Sequence, residues 1–574
     1  MAKKYKGKRI ICIAISLLII FSLIYKICGI YYAANDDISM QKILSGSYSG
    51  KIDAHAVYIK YVLGYLLTLF YKNINCQIDW YGIFMQGILF GCYGVLIDRM
   101  FTLTEKHTHK HRIRIVFLAV FLVIFFRVTI FFQYTVVAGI AGSTAIFLLI
   151  TRKEHEKLGY DILFMVLYLL TYLIRSKVFW MIMPITGLAL MKLFVMPAVW
   201  DVYHKQKIHL RVKKYIRPVT FMCMVMLFVI SIRKIDSIAY SSEAWNQYRT
   251  YNSFRSQIVD YAGFPDYDSN QQFYTDLGIS AQEYDCLESM FGILPNIDME
   301  VMGKIAEQSR LEVEQLNIES RISNMANVLK ICLTSKICRE LHIVFILILF
   351  GFLRSIGKYK KQEKYIIAAG IIAQLFVLIY LLWKGRVPDR IVQIFEIECI
   401  LSMLAILLCN LNGESQREKR KIYSGLLLLF ASIIIITFYN VRMQAETYQE
   451  SILVQKEFND YINNKNENVY VVQTGTVETV KQFDFQSAQG VTNQRGTRGW
   501  SSNSPFLNAK MEYLGIDLEM PLLLEQNVYY VTKDLTMADH LNEYYQSIYE
   551  ECEDYHITDE VVLADGNRIY ICKW

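Results

Sequence analysis

The sequence predicts a mainly α-helical, polytopic membrane protein of about eleven transmembrane helices, with a non-crossing helix on the outer face and a small C-terminal extracytoplasmic α/β domain. Three observations predict it. Hydrophobic residues make up 54% of the 574 and prolines number only 8, with a positive mean hydropathy. Apolar runs of about 20 residues recur, and about 1.5 Å of helical rise per residue lets each cross about 30 Å of hydrocarbon. Lysines and arginines cluster in the short connections between alternate runs, as membrane topology requires. The net charge of +7 is small for this length, which excludes a nucleic-acid-binding surface as the purpose of the basic residues.

The first element is MAKKYKGKRIICIAISLLIIFSLIYKICGIYY, a basic start followed by a long apolar run with no small-x-small cleavage site. It reads as a retained signal anchor with a cytoplasmic N-terminus. Ten further spans are expected near residues 80–97, 115–132, 136–151, 160–174, 178–198, 216–232, 341–357, 365–383, 391–410 and 422–439. The connections DRMFTLTEKHTHKHRIR, TRKEHEK, YHKQKIHLRVKKYIR, RSIGKYKKQEK and NGESQREKRK then all fall inside, and all are basic. DAHAVYIKYVLGYLLTLFYKN, residues 53–73, would invert that pattern if it crossed. It is expected to dip into the outer face instead, with Lys60, Gly64, Thr68 and Lys72 forming one less apolar stripe.

The polytopic domain is expected over 1–439, including a first outer loop at 31–79 and a large outer helical loop at 236–338. The outer α/β domain is expected over 440–574. In that tail NVYVVQT and NVYYVTK read as strands, MADHLNEYYQSIYEEC as a helix, and VVLADGNRIYICKW as a hairpin turning at Asp565-Gly566. Several of the 12 cysteines lie inside apolar runs, where they serve as small packing residues, and no CxxC spacing exists for zinc. Cys552 and Cys572 could pair in an extracytoplasmic tail.

The chemistry-bearing candidates fall on the outer side. YYAANDDISMQKILSG places Asp36 and Asp37 just after the first span, and Asp53 and His55 follow in the same loop. Arg127, Arg175, Lys177, Lys384, Arg386, Asp389 and Arg390 lie at the outer ends of other spans. An arginine at mid-membrane costs roughly 2.5 to 3.5 kcal/mol, so these residues belong at the interface or in a wet cavity. Carboxylates facing cations at one membrane depth suit a lipid-linked phosphosugar: guanidinium forks hold the phosphate while a carboxylate takes a proton from an acceptor hydroxyl. Asp36 and Asp37 could also share a Mg2+ or Mn2+.

Structural roles compete with these. Asn35 or Asp36 could be the N-cap of a helix that stops at Gly46, with acids favoured by its dipole. His55 could be a hydrogen-bonded structural residue, the arginines of GRVPDR could anchor a helix end, and Arg127, Arg175 and Lys177 could simply snorkel. In GTRGWSSNSPF the ring of Trp500 could stack on a sugar, although packing within its own domain is the commoner use. His107, His109 and His111 belong to a solvated basic loop.

The layout resembles the GT-C superfamily of integral-membrane glycosyltransferases, which use polyprenyl-phosphate or polyprenyl-diphosphate sugars. The resemblance rests on Asp36-Asp37 after the first span, on DAHAVYIKYVLGYLL with His55 leading into a non-crossing helix, on the Arg-x-Pro-x-Arg of GRVPDR, and on an outer C-terminal α/β domain. The pair is Asp-Asp rather than the commoner Asp-Glu, the prolines that often follow the histidine are missing, and no WWDYG motif occurs. The resemblance implies transfer of a sugar from a polyprenyl-linked carrier to a glycan, lipid or protein acceptor on the outer face. It casts Asp36 and Asp37 as catalytic residues and Asp53, His55, Arg127, Arg175, Lys177, Arg386 and Arg390 as substrate-binding ones. Transport or polymerisation of lipid-linked saccharides, and a non-catalytic envelope role, are the alternative classes.

Overall fold

The computed structural model describes residues 2–153, 156–203, 208–359, 361–410, 416–487, 490–518 and 520–574. Parts of the predicted basic connections, at 154–155, 204–207, 360 and 411–415, lie outside the described residues.

Among the described residues eight helices are long and apolar enough to cross a bilayer: Gly7–Cys28, Trp80–Thr104, Lys110–Ile130, Ser176–Leu193, Arg339–Lys358, Glu363–Trp383, Asp389–Cys409 and Leu426–Asn463. Tyr134–Ile150 and Leu158–Ile174 are apolar but shorter, at 17 residues each, which gives each a rise of about 26 Å. The expected span at 216–232 lies within the helix Ile208–Ala239. Each predicted span therefore falls on a helix, because a run of apolar residues leaves the backbone no partner in lipid except itself.

Tyr134–Ile150 sits at the centre of the bundle, with every residue from Tyr134 to Leu149 buried. It packs against Leu158–Ile174, Asp389–Cys409, the helix from Ser176 and Trp80–Thr104. Small residues permit that approach: a Cβ added at Gly139 would lie 2.6 Å from Ile394, and one at Gly142 would lie 2.2 Å from Ile182.

The segment at 53–73 forms a helix only from Tyr61 to Asn73, and 13 residues rise about 20 Å, short of a span. The middle of its less apolar stripe faces the protein, while Lys72 at its end is exposed. Gly64 and Thr68 are buried, while Tyr65, Leu66 and Phe70 face outward. Asp236, near the end of Ile208–Ala239, accepts from the Tyr61 amide at 3.0 Å and the Lys60 amine at 3.0 Å, and so fixes the helix start.

Seven strands are present among the described residues. β1 (Tyr31–Tyr32) and β2 (Phe131–Phe132) pair in parallel at the outer ends of two spans. The tail holds β3 (Val469–Val472), β4 (Gln494–Gly496), β5 (Val528–Thr532), β6 (His556–Val562) and β7 (Arg568–Lys573) in the order β4-β3-β5-β7-β6. β3 and β5 are the two strands read from sequence, and β6–β7 is the hairpin, with Gly566 in the left-handed region its turn requires. The two-residue strands and β4 are too short to leave a periodic signal.

Two departures concern the tail. Residues 440–463 are not a separate domain start, since one helix runs unbroken from Gln416 to Asn463 with no glycine or proline after Gly425 to stop it. The outer loop and the tail also share one core. Tyr251, Ile258, Leu287, Met290 and Met302 pack with Val469, Val471, Leu507, Tyr530 and Leu541. Within that body every cysteine is free, so the Cys552–Cys572 pairing is not formed.

A short strap from the tail is stitched to the first outer loop. The Phe483 amide donates to Ile30 at 2.8 Å, the Tyr32 amide to Lys481 at 3.1 Å, the Asp79 amide to Phe485 at 2.9 Å and the Ser487 amide to Gln77 at 2.8 Å. These bonds lock residues 30–32 and 77–79 against residues 481–487.

Candidate functional site

The helix Asn35–Ser45 carries both candidate acids. Its cap is Ala34, in extended conformation and without a side-chain bond, so neither Asn35 nor Asp36 caps it. Gly46 ends it in the left-handed region, as expected. The acids occupy the first turn, where the helix dipole favours negative charge. Successive helical residues point about 100° apart, and here that separates two environments.

Asp37 is completely buried. Its Oδ1 accepts from the Tyr81 hydroxyl at 2.7 Å and from the Tyr134 amide at 3.0 Å, while its Oδ2 has no partner. Burial pushes its pKa up to about 8, against the two hydrogen bonds that favour the anion, so it is mostly a neutral acid at pH 7.

Asp36 is half-buried and belongs to a charge cluster. Burial raises its pKa above the ordinary carboxylate range, and the nearby charges of Arg390 and Arg175 pull it back down; Asp260 and Arg255 act on it as well. Arg175 ends the helix Leu158–Ile174 and lies over the rings of Tyr58 at 5.3 Å and Tyr134 at 5.4 Å. Arg390 is in the first turn of Asp389–Cys409. Lys177 feels Arg175, Asp260 and Arg390, which places it in the same cluster.

Arg386 reaches the cluster through Asp260, whose Oδ1 its guanidinium grips. Arg255 grips Oδ2 of the same carboxylate at 3.1 Å, and Ser256 donates to it at 2.8 Å. Burial alone would raise the Asp260 pKa, but Arg255, Ser256 and Arg386 outweigh it and hold it below the usual range. Sequence reasoning missed Asp260 and Arg255. Their only signal was an acid five residues after an arginine in SFRSQIVDYAG, on the outer side.

Asp53 and His55 make a different structure. His55 Nδ1 lies 2.6 Å from Asp53 Oδ1 and Nε2 lies 3.0 Å from the Ala239 carbonyl, so both ring nitrogens face acceptors. Burial lowers the His55 pKa, and the bond and charge of Asp53, with the Ala239 carbonyl and Asp236, together outweigh it and leave it above its ordinary value. The ring is enclosed by Tyr61, Tyr240 and Trp245. This pins the 53–60 segment, which carries Tyr58 to the cluster. Arg127 has another setting: it bonds Gln444 and lies 5.7 Å from the Phe131 ring centre, beside the charges of Glu340 and Asp389.

Trp500 joins the tail to this site. Its ring packs on Phe506 of its own domain at 5.7 Å, and also on Tyr58 of the first outer loop at 5.0 Å.

The donor set does not suit a shared divalent ion. Asp37 is buried with one oxygen committed to tyrosine and backbone donors, and Asp36 lies in the field of arginines. Among the described residues no group of three or more His, Cys, Asp or Glu side chains could hold a metal.

The fold and site define a polytopic membrane protein with a body beside the spans, in which an acid and several guanidinium groups meet near the ends of the spans. No protein-family model and no curated protein matches the chain. Among solved structures it is similar to ArnT from Cupriavidus metallidurans, whose crystal structure is bound to undecaprenyl phosphate. The TM-score is 0.35 at 11% identity, with 98% of this chain and 97% of that chain covered.

Proposed function

We propose that the chain is a membrane glycosyltransferase that moves a hexosyl or pentosyl group from a polyprenyl-phosphate or polyprenyl-diphosphate carrier to a glycan, lipid or protein of the cell envelope, on the outer face. The observation that carries this is the placement of Asp36 in the field of Arg390 and Arg175, beside the Arg255–Asp260–Arg386 bridge.

In the inverting step, the acceptor hydroxyl oxygen forms a bond to the anomeric carbon as the bond from that carbon to the phosphate oxygen breaks. The electron pair leaves on the phosphate, and the hydroxyl proton passes to Asp36. Arg175 and Arg390 take the charge developing on the phosphate, with Lys177 beside them and Arg386 oriented by Asp260. A base working near neutral pH benefits from a raised carboxyl pKa, which half-burial supplies to Asp36. Asp37 supports the helix start as a neutral acid.

Glu398 favours keeping transport as a second reading. It is 2% exposed nine residues into the span Asp389–Cys409, bonded to Ser402 at 3.0 Å and to Gln374, and buried charges inside spans are characteristic of transporters. The test is transfer of radiolabelled sugar from polyprenyl-phosphate donors by the purified protein. Loss in Asp36→Asn with retention in Glu398→Gln supports a transferase with Asp36 as its base. Full activity in Asp36→Asn overturns the role of Asp36, and a wild type that transfers no sugar overturns the transferase reading.

A further inference from the structure

A second group of charges lies at the other end of the Asp36 helix. Lys42 occupies its last turn, half-buried. Lys510, only 5% exposed, comes from the tail helix Pro505–Tyr513. Arg495 comes from β4. Tyr48 ties them together: its amide donates to the Lys42 carbonyl at 3.1 Å, its ring centre lies 5.3 Å from the Lys510 amine, and that amine donates to the carbonyl of Gln494, next to Arg495, at 2.7 Å. The Asn35–Ser45 helix and two neighbouring elements of the tail thus deliver like charges to one place.

What these cations lack is an acid. Among the described residues no carboxylate bonds Lys42, Lys510 or Arg495. The Lys510 amine donates to the Gln494 carbonyl at 2.7 Å and to Thr492 at 3.2 Å, and stands 5.3 Å from the Tyr48 ring centre. Arg495 spends one nitrogen on the Gly292 carbonyl at 2.7 Å, and its Nε is buried with no partner. Burial and neighbouring charge push the Lys510 amine down to about 7 and the Lys42 amine down to about 8. Bringing uncompensated cations together out of water is costly unless an anion joins them.

The cluster is connected to the proposed reaction site by rings. Tyr48 packs on Phe506 at 5.3 Å, Phe506 on Trp500 at 5.7 Å, and Trp500 on Tyr58 at 5.0 Å. Tyr58 in turn lies under Arg175 and feels Asp36. Phe506 is only 2% exposed, so these rings form a packed link that fixes the cation group relative to Asp36.

We propose that Lys42, Lys510 and Arg495 form a second oxyanion site that takes a phosphate or carboxylate group carried by the acceptor, about 9 Å of helical rise from Asp36 along the helix Asn35–Ser45. This rests on the transferase reading for the word acceptor, although the anion site itself can be tested without it. An acceptor lying along that helix would present a hydroxyl to Asp36 and an anionic substituent to the cations.

The test is thermal unfolding of the full-length detergent-purified protein titrated with inorganic phosphate, glucuronate and, as the neutral control, glucose. Phosphate or glucuronate is expected to raise the melting temperature of the wild type where glucose does not, and the stronger of the two identifies the substituent. Lys42→Gln, which removes no hydrogen bond, is expected to weaken the apparent affinity about tenfold while leaving the ligand-free protein as stable or more so. Lys510→Met should weaken it similarly. A lysine that merely held the fold would lower ligand-free stability in both variants and leave affinity unchanged, and that result overturns the proposal. So does a wild type that responds to neither anion. Asp36→Asn and Arg390→Gln are expected to keep the anion response; its loss there would move the anion to the donor site and overturn the assignment. Failure of the transferase reading shows separately, as no sugar transfer by the wild-type protein that still responds to the anion.

Discussion

Asp36 and Asp37 are adjacent in the chain yet chemically opposed: Asp37 is sealed against the Tyr81 hydroxyl at 2.7 Å and the Tyr134 amide at 3.0 Å, while Asp36 is half-buried in the field of Arg390 and Arg175. Substitution should separate them. Asp36→Asn is expected to lower the transfer rate by about 10² to 10⁴, the usual contribution of a positioned general base. Asp37→Asn copies the protonated acid and should retain most activity. Turnover on both variants, normalised to monodisperse protein, checks this, and equal losses would refute the division.

The same burial makes stability depend on pH. In the unfolded chain Asp37 ionises near pH 4, whereas folded protein keeps its proton up to about pH 8. Between those values the folded state binds the extra proton, so its stability falls as pH rises through the window. The melting temperature of Asp37→Asn relative to wild type is therefore expected to climb from pH 5 to pH 8. Parallel melting curves would show that Asp37 is ionised in the fold.

Asp260 holds two arginines of unequal exposure, Arg255 being buried and Arg386 41% exposed at the side chain. Asp260→Ala leaves Arg255 buried without its acid and is expected to cost about 3 kcal/mol. Arg386→Ala removes an exposed partner and should cost under about 1 kcal/mol. Both are expected to raise KM for the donor, because Arg386 loses its orientation in one and its charge in the other. Unfolding and donor titrations on the two variants measure the difference.

The strap predicts sidedness. Residues 481–487 bond to residues 77–79, so exposed Cys76 and the tail share one face of the membrane. A variant keeping Cys76 as its sole cysteine should react with an impermeant maleimide added to intact cells. Labelling only after lysis would put the tail inside and invert the topology.

The spans, two tail strands, the hairpin at Asp565-Gly566 and the stop at Gly46 were legible in the sequence, because each depends on residues within one or two turns of one another. Hydropathy over about 20 residues and a glycine in the left-handed region act locally, whatever the rest of the chain does. Asp36, Arg175 and Arg390 could be nominated in the same way, from position at span ends. Their sharing of one cluster could not, nor could the partners that make Asp37 a different acid from Asp36. Tyr81, Tyr134, Arg255 and Asp260 lie 44, 97, 219 and 224 residues from Asp37, Asp37, Asp36 and Asp36 in turn, and no periodicity spans such separations. Burial and neighbouring charge, which set what each carboxylate can do, arise only when the faces of distant helices close on one another. The sequence by itself determined which segments are apolar enough to enter the membrane and which residues wait at their ends; the tertiary structure decided which of those residues meet, because pairing energy depends on distance in space and not along the chain.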